Sequence, residues 1–450
     1  MLFKVVTLAF VVLLLLIVLL QGFSILFFNK KKQNNNPQFT AFQKSYLLFS
    51  SLILFSDWLN APYLYKLYSS YGFIEEQIVI IYVCGLISAL VFDVLSGYLV
   101  TVYNENNLFK ISTLLYATSC TMKISSDYST LILSRILCGC ATSLMFITQE
   151  SLHVKQHVKV HDFPLEWIAQ TQAKVSKASS FVALSAGIIA YLSTEFLGLG
   201  AAMPTMISIP IVLLSSCLIP DVKPTNSINT LKPLNFAERK EQGRLYLKSY
   251  VKGMKKVAEN KHFLIIGTIK ALFESVICLF VFLWTPVLDH HNPPLGLVFA
   301  SFMAANVLGY FIYERITIKN VKFIILIVLT MATFAVLSCA ISTKPTREFP
   351  VVSFLSFLIF EFASGLYFPV INEMEKETGL LELGRIVNAW LKIPINILGC
   401  VGLLMLHSST NTSGTRHIFL SCTAALSIAT FVAVKLKSGE NRDNFINDST

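Results

Sequence analysis

The sequence predicts an all-α membrane protein made of two six-helix bundles, preceded by one further N-terminal transmembrane helix. Three observations lead there. The chain is 54% hydrophobic and only 14% charged, with a mean hydropathy of +0.64, whereas a soluble domain carries about 25% charged residues. It contains thirteen apolar segments, most of them close to the roughly twenty residues that cross a bilayer as a helix. Its one long polar stretch, Pro220 to His262, has six of the last twelve segments on each side.

The elements follow in order. Phe3 to Phe28 forms the first segment and is set apart by the Asn/Lys tract Asn29 to Asn36. It is too long for a signal-peptide core, and basic residues follow rather than precede it, so it reads as a retained anchor. The next six segments span about 42–64, 76–102, 108–125, 131–152, 174–197 and 200–219. The last six span about 263–288, 294–314, 322–342, 351–372, 384–407 and 416–436. All must be helical, because hydrocarbon offers no other partner for a spanning backbone. The domain boundaries expected from this pattern are 1–30, 40–220, 221–262, 263–437 and a tail, 438–450.

Charge sets the orientation. If Lys30, Lys31 and Lys32 are cytoplasmic, alternation places 26 Lys and Arg on that side and 6 on the other. Ten of the 26 lie in the central loop, from Lys223 to Lys261. Basic residues in short loops mark the cytoplasmic face, so the C-terminus is expected inside and the N-terminus outside, most simply at the plasma membrane. The sequon Asn411-Thr412-Ser413 then falls outside and is a candidate glycosylation site. The net charge of +10 is thus a topology signal, and no nucleic-acid partner is expected. The partner is the lipid bilayer.

Several functional classes fall away. The nine cysteines lie in or at the ends of apolar runs and form no CxxC or Cys/His cluster of metal-ligand spacing. No Gly-rich phosphate loop is present, so ATP-driven pumping and a bound cofactor are not expected. An enzyme is disfavoured for want of a paired catalytic constellation. What remains is charge at membrane depth: Asp57, Arg135, Lys270, Glu274, Glu361 and Lys392 each interrupt an apolar run. Such residues are costly and ordinarily mark a path or a site.

Six strings are distinctive: Ser56-Asp57-Trp58-Leu59-Asn60-Ala61-Pro62-Tyr63-Leu64-Tyr65-Lys66-Leu67-Tyr68, Ile81-Tyr82-Val83-Cys84-Gly85-Leu86, His161-Asp162-Phe163-Pro164-Leu165-Glu166-Trp167-Ile168, Leu272-Phe273-Glu274-Ser275, Phe282-Leu283-Trp284-Thr285-Pro286-Val287-Leu288-Asp289 and Gly365-Leu366-Tyr367-Phe368-Pro369. Together they resemble the molybdate-anion transporter family of the major facilitator superfamily, in order from about residue 40 to 436. The resemblance implies the major facilitator fold and uptake of molybdate, or a related oxyanion, by alternating access. One departure stands out. The superfamily pattern G-x-x-x-D-x-x-G-R-[KR] is replaced here by Gly97 to Asn106, with Thr101 for Asp, Asn104 for Gly and Glu105 for Arg. The family's latch between halves is therefore in question. A non-transporting sensor or partner-binding protein of the same fold is the alternative reading.

In the facilitator arrangement the first and fourth helices of each half line a central cavity. Arg135 and Lys270 are then the cations expected to contact the anion, with Lys392 third and Asn60, Ser275, Asn388 and Trp390 as neutral donors. Blander roles compete. Lys270 and Glu274 are spaced to cancel each other at i,i+4, Arg135 can snorkel or pair with Asp127, and Lys392 can meet a helix carbonyl. Importing a dianion into a negative cell needs a driving force, and a co-transported proton on a buried carboxylate supplies one. Glu361 is the first candidate, then Asp57, with Glu274 beside Lys270 and Glu150 as a gate at the end of its helix. His153, His157 and His161 recur every four residues and, with Lys155 and Lys159 interleaved, are expected on a solvated cytoplasmic helix.

Overall fold

The computed structural model describes residues 2–27, 36–219, 236–316, 320–344, 347–378, 385–408 and 414–447. The candidate sequon at Asn411 and the side chain of Asn388 lie outside the described residues. Among those described there are fifteen α-helices. The first stands alone as α1, Leu2–Phe27. Then come α2 (Pro37–Asn60), α3 (Leu64–Ser70), α4 (Glu75–Val102), α5 (Glu105–Met122), α6 (Tyr128–Lys155), α7 (Glu166–Tyr191) and α8 (Met203–Cys217). The central polar stretch contributes α9, Phe236–Glu259. The remainder is α10 (Lys261–Asp289), α11 (Leu295–Arg315), α12 (Val321–Ser342), α13 (Pro350–Glu377), α14 (Arg385–Ser408) and α15 (Gly414–Asn447). A two-residue antiparallel ladder, Thr343–Lys344 with Arg347–Glu348, joins α12 to α13.

Each of the thirteen apolar segments falls on a helix. Nine helices among the described residues are long and apolar enough to cross a membrane, and Met203–Cys217 and Trp390–Leu406 are shorter apolar stretches. The other two, α2 and α5, carry more polar side chains and turn them inward: Gln43, Ser50, Ser56, Ser112, Thr113 and Ser119 are all buried. The chain is a multi-pass membrane protein.

Local chemistry cuts the helices. Asn36 accepts from the amides of Gln38 and Phe39 with Pro37 behind it, and Asn104, Asn260 and Asn320 cap α5, α10 and α12 with side-chain oxygens. Each cap satisfies a donor that would otherwise be orphaned at a helix start. Asp127 does the same for α6 through the hydroxyl and amide of Thr130, and these bonds hold its carboxyl below the usual range.

The chain divides into two compact units. One comprises Val18–Phe73 and Cys84–Ser249; the other comprises Met1–Ile17, Ile74–Val83 and Tyr250–Thr450. In the first, α2 packs on α7 and α8, and α5 on α6 and α8. Its core includes Tyr46, Phe49, Ile53, Phe109, Met145 and Val212. In the second, α10 packs on α13, α14 and α15, α11 on α13, and α12 on α13 and α15. Tilted and edge-on contacts among Phe280, Phe302, Phe357 and Phe360 fill its interior.

Small residues let helices approach closely. A Cβ at Gly139 of α6 would lie 2.5 Å from the Gly85 carbonyl of α4, and one at Gly365 of α13 would collide with the Asn306 carbonyl of α11. Without a hydrophobic drive between helices in lipid, such close packing is a main source of association. The altered loop after α4 is itself ordered. Asn104 caps α5, and Glu105 pairs with Lys155 at the end of α6, Nζ to Oε2 2.7 Å. Nearby, the Tyr246 hydroxyl donates to the Val94 carbonyl at 3.2 Å and lies over Gly97, where a side chain would have to displace the Tyr246 ring.

The histidine stripe departs from expectation. His153 and His157 are fully buried, because His at i and i+4 face inward while the lysines between them face out. His153 stacks on Tyr46 at 4.1 Å and on Phe42 at 5.7 Å. His157 meets Phe39 edge to face and shares a 2.8 Å hydrogen bond between Nε2 and the Pro164 carbonyl. Only His161 is exposed. A π-helical turn, Gln156–Val160, shifts the register at this point.

Candidate functional site

Each unit holds its own cluster of charge. In the first, Asp57 on α2 is half-buried, and the Tyr116 hydroxyl of α5 donates to its Oδ1 at 3.2 Å. Lys123 and Arg135 are the cations within electrostatic reach of that carboxylate. The Arg135 side chain crosses Gly85 of α4, with Nε 3.4 Å from where a Cβ would stand. Asp127, the partner considered for it from sequence, is instead committed to Thr130.

The surrounding donors are bound into the bundle. Asn60 Nδ2 contacts the Ser56 carbonyl at 3.0 Å, the Tyr116 hydroxyl at 3.1 Å and the Ser208 hydroxyl at 3.2 Å. Ser56 Oγ donates to the Ser208 carbonyl at 3.0 Å, tying α2 to α8. The network fixes α2, α5 and α8 around Asp57, since each of these buried groups needs its partner.

Lys123 is the residue that sequence reading missed. It falls between two apolar segments, among the 6 Lys and Arg that alternation places outside, yet it is 1% exposed at the C-terminal end of α5. Its Nζ lies 3.9 Å from Cys120 Sγ and 5.8 Å from the Tyr116 ring centroid. A signal was present: Tyr116, Cys120 and Lys123 follow at i, i+4 and i+7, which places them on one helix face.

The second unit builds its cluster from α10 and α13. Lys270 Nζ meets Glu375 Oε1 at 2.6 Å, and both side chains are largely buried. Glu274, one turn on from Lys270, is an electrostatic neighbour of Lys270, Glu375 and Lys392. The Tyr367 phenol also approaches Glu274, without closing a full hydrogen bond in this conformation. Its ring stacks on Phe273 with centroids 3.9 Å apart, which fixes where the hydroxyl can reach. Lys270 is thus bridged to Glu375 rather than to Glu274, whose carboxylate stays in reach but makes no direct ion pair.

Glu361 stands apart on the same helix. It is 6% exposed, and its hydrogen-bond partner is Asn306 of α11, Nδ2 to Oε2 3.2 Å. Among the described residues no cation lies against it. Pro369 falls between Glu361 and Glu375 and removes one rung of the α13 ladder.

The remaining candidates sit elsewhere. Lys392 is exposed on α14, within electrostatic reach of Glu274. Glu150 is exposed near the end of α6, where it faces the Tyr46 hydroxyl electrostatically. Trp390 is committed as a donor, Nε1 to the Tyr250 carbonyl at 2.8 Å, with the two rings stacked at 4.5 Å. Ser275 donates back to the Leu272 carbonyl at 2.9 Å. Among the described residues no group of His, Cys, Asp and Glu has the arrangement of a metal site.

Comparison with known proteins places this geometry in context. A family model described as sugar transporters with 12 transmembrane segments matches residues 8–356. A protein of Danio rerio named molybdate-anion transporter is 37% identical over 426 residues, covering 89% of this chain and 87% of that one. One of Takifugu rubripes with the same name is 37% identical over 423 residues, covering 89% and 88%. Among solved structures, the peptide transporter POT superposes with a TM-score of 0.67 over 89% of this chain and 95% of that one, at 12% identity. That likeness shows the fold.

Proposed function

The chain belongs to the molybdate-anion transporter family of the major facilitator superfamily, and on that premise we propose that it is a secondary active transporter taking up molybdate by alternating access, coupled to protons. The single observation carrying the substrate is the 37% identity over 426 residues to a relative named for molybdate. The membrane is the plasma membrane, with the C-terminus cytoplasmic, the N-terminus outside and Asn411 glycosylated.

Molybdate is a tetrahedral dianion, so its site needs cations and donors placed on several sides. Arg135, Lys270 and Lys392 are the proposed contacts. In the described conformation Lys270 is occupied by Glu375 at 2.6 Å, and Arg135 lies within reach of Asp57. Each cation therefore has an internal carboxylate to displace. A proton placed on that carboxylate removes its charge and releases the cation for an oxyanion oxygen, so proton loading and anion binding support each other.

The energetics favour such coupling. Moving two negative charges into a cell held at 100 mV negative costs about 4.6 kcal/mol, and each accompanying proton offsets about half of that. Glu361 is the proposed proton carrier, since among the described residues its ionised form is compensated by an amide and no cation, while its protonated form has no charge to bury. Asp57 and Glu274 serve beside their cations, and Glu150 acts as a gate.

The test is saturable uptake of labelled molybdate by cells expressing the wild type, Lys270→Ala or Arg135→Ala, with surface expression matched. The proposal expects wild-type uptake that both substitutions abolish. Wild-type uptake no greater than in untransfected cells, with sulfate tried alongside, would move the reading to a non-transporting member of the fold.

A further inference from the structure

We propose that Lys123 is a substrate-binding cation of this transporter, forming with Arg135 a tetrahedral-oxyanion subsite in the first unit beside Asp57. The inference rests on the transport reading above and assigns it a residue that neither charge pattern nor motif had singled out.

The Lys123 ammonium lacks a strong acceptor. Lys123 is 1% exposed, and among the described residues the hydrogen-bond acceptor of its Nζ is a thiol sulfur at 3.9 Å, a weak partner. The Tyr116 ring lies 5.8 Å away and adds a modest attraction. No carboxylate among the described residues comes within salt-bridge distance of it. A buried ammonium in that state costs several kcal/mol; Asp57 is within electrostatic reach of it but does not close an ion pair, which leaves the ammonium open to a second negative group.

The neighbours fit an oxyanion. Arg135 brings a second cation toward the same carboxylate as Lys123, and Gly85 leaves the space its side chain needs. Tyr116 supplies a hydroxyl that now donates to Asp57 Oδ1 at 3.2 Å, a bond it can redirect to an incoming oxygen. Two cations and a hydroxyl are what a tetrahedral dianion requires, and Asp57 presents a weaker, singly charged version of it.

A structural ion pair is the competing account, and a double substitution separates the two. Removing Lys123 alone strands Asp57, which is destabilising for reasons unrelated to substrate. Removing both charges leaves none uncompensated. Full-length protein is purified as wild type, Asp57→Asn, Asp57→Asn/Lys123→Met and Lys123→Arg, and the concentration of sodium molybdate giving half-maximal thermal stabilisation is measured for each. The proposal expects Asp57→Asn to bind at least as tightly as wild type, because the competing carboxylate is gone. Adding Lys123→Met to it should leave the ligand-free melting temperature near that of Asp57→Asn but weaken binding by at least about tenfold. Lys123→Arg should stay within about threefold of wild type.

A double variant that binds molybdate as tightly as Asp57→Asn overturns the assignment and makes Lys123 a structural counter-charge, leaving the transport reading intact. Wild-type protein that neither binds nor takes up molybdate defeats the transport reading, and the Lys123 assignment with it.

Discussion

Lys270 Nζ lies 2.6 Å from Glu375 Oε1, a contact that joins α10 to α13 across 105 residues of sequence. Both side chains are largely buried, with that of Glu375 4% exposed. A bridge of this kind holds its two helices only while both charges remain. Breaking it by Glu375→Ala leaves a buried ammonium and should cost about 3–5 kcal/mol, reduced to the extent that Glu274 takes over. The expected outcome is a lowered melting temperature of the purified protein. Lys270→Met/Glu375→Leu should recover that temperature while uptake stays absent. Recovery of uptake in the double variant would show that Lys270 has no part in transport.

Glu361 and Asn306 offer a cleaner separation of charge from structure. Glu361→Gln retains an oxygen that can accept from Asn306 Nδ2 and occupies nearly the same volume, so stability should change by less than about 1 kcal/mol. Proton-driven uptake should nevertheless fall to background, because an amide cannot load and release a proton, whereas molybdate exchange without a gradient should persist. Measuring both modes on one preparation checks the assignment; proton-driven uptake at the wild-type rate contradicts it.

The buried histidines should respond oppositely to the same substitution. His153 is fully buried and neither ring nitrogen has a hydrogen-bond partner, so His153→Phe removes two unsatisfied groups and keeps the stack on Tyr46. Stability should rise or hold. His157→Phe breaks the 2.8 Å bond to the Pro164 carbonyl and should cost about 1–3 kcal/mol. Melting temperatures of the two variants, measured side by side, decide the point.

Close helix approach makes its own prediction. Gly365→Ala forces a methyl against the Asn306 backbone, and Gly139→Ala forces one to within 2.5 Å of the Gly85 carbonyl. Neither neighbour is a flexible side-chain end, so each should cost about 1–3 kcal/mol or more. Gly22→Ala on α1 meets nothing within 4 Å and should be neutral or slightly stabilising. The yield of monodisperse protein in detergent reports all three.

The helices were legible in sequence because hydrocarbon permits little else: every apolar segment falls on one, down to the polar-faced α2 and α5. The sites were legible only where charge interrupts an apolar run. Asp57, Arg135, Lys270 and Glu361 do so and were recognisable as candidates. Glu375 was not, because the apolar run of α13 fades near residue 372 while the helix continues to Glu377. Its spacing of fourteen from Glu361, close to four full turns, places both on one face and was the available clue. Lys123 was lost for a related reason, since it ends its helix and read as a loop cation. The histidine stripe misled because lysines between the rings suggested solvent, when alternation of faces put the rings inside against Phe39 and Phe42.

The central claim is that this protein moves molybdate with protons, and proteoliposomes test it most directly. Purified wild-type protein is reconstituted at neutral pH and labelled molybdate is supplied outside, with and without an imposed inward proton gradient. The account predicts saturable accumulation that the gradient increases and a protonophore returns to the level seen without it. Accumulation equal to that of protein-free liposomes under both conditions would contradict it.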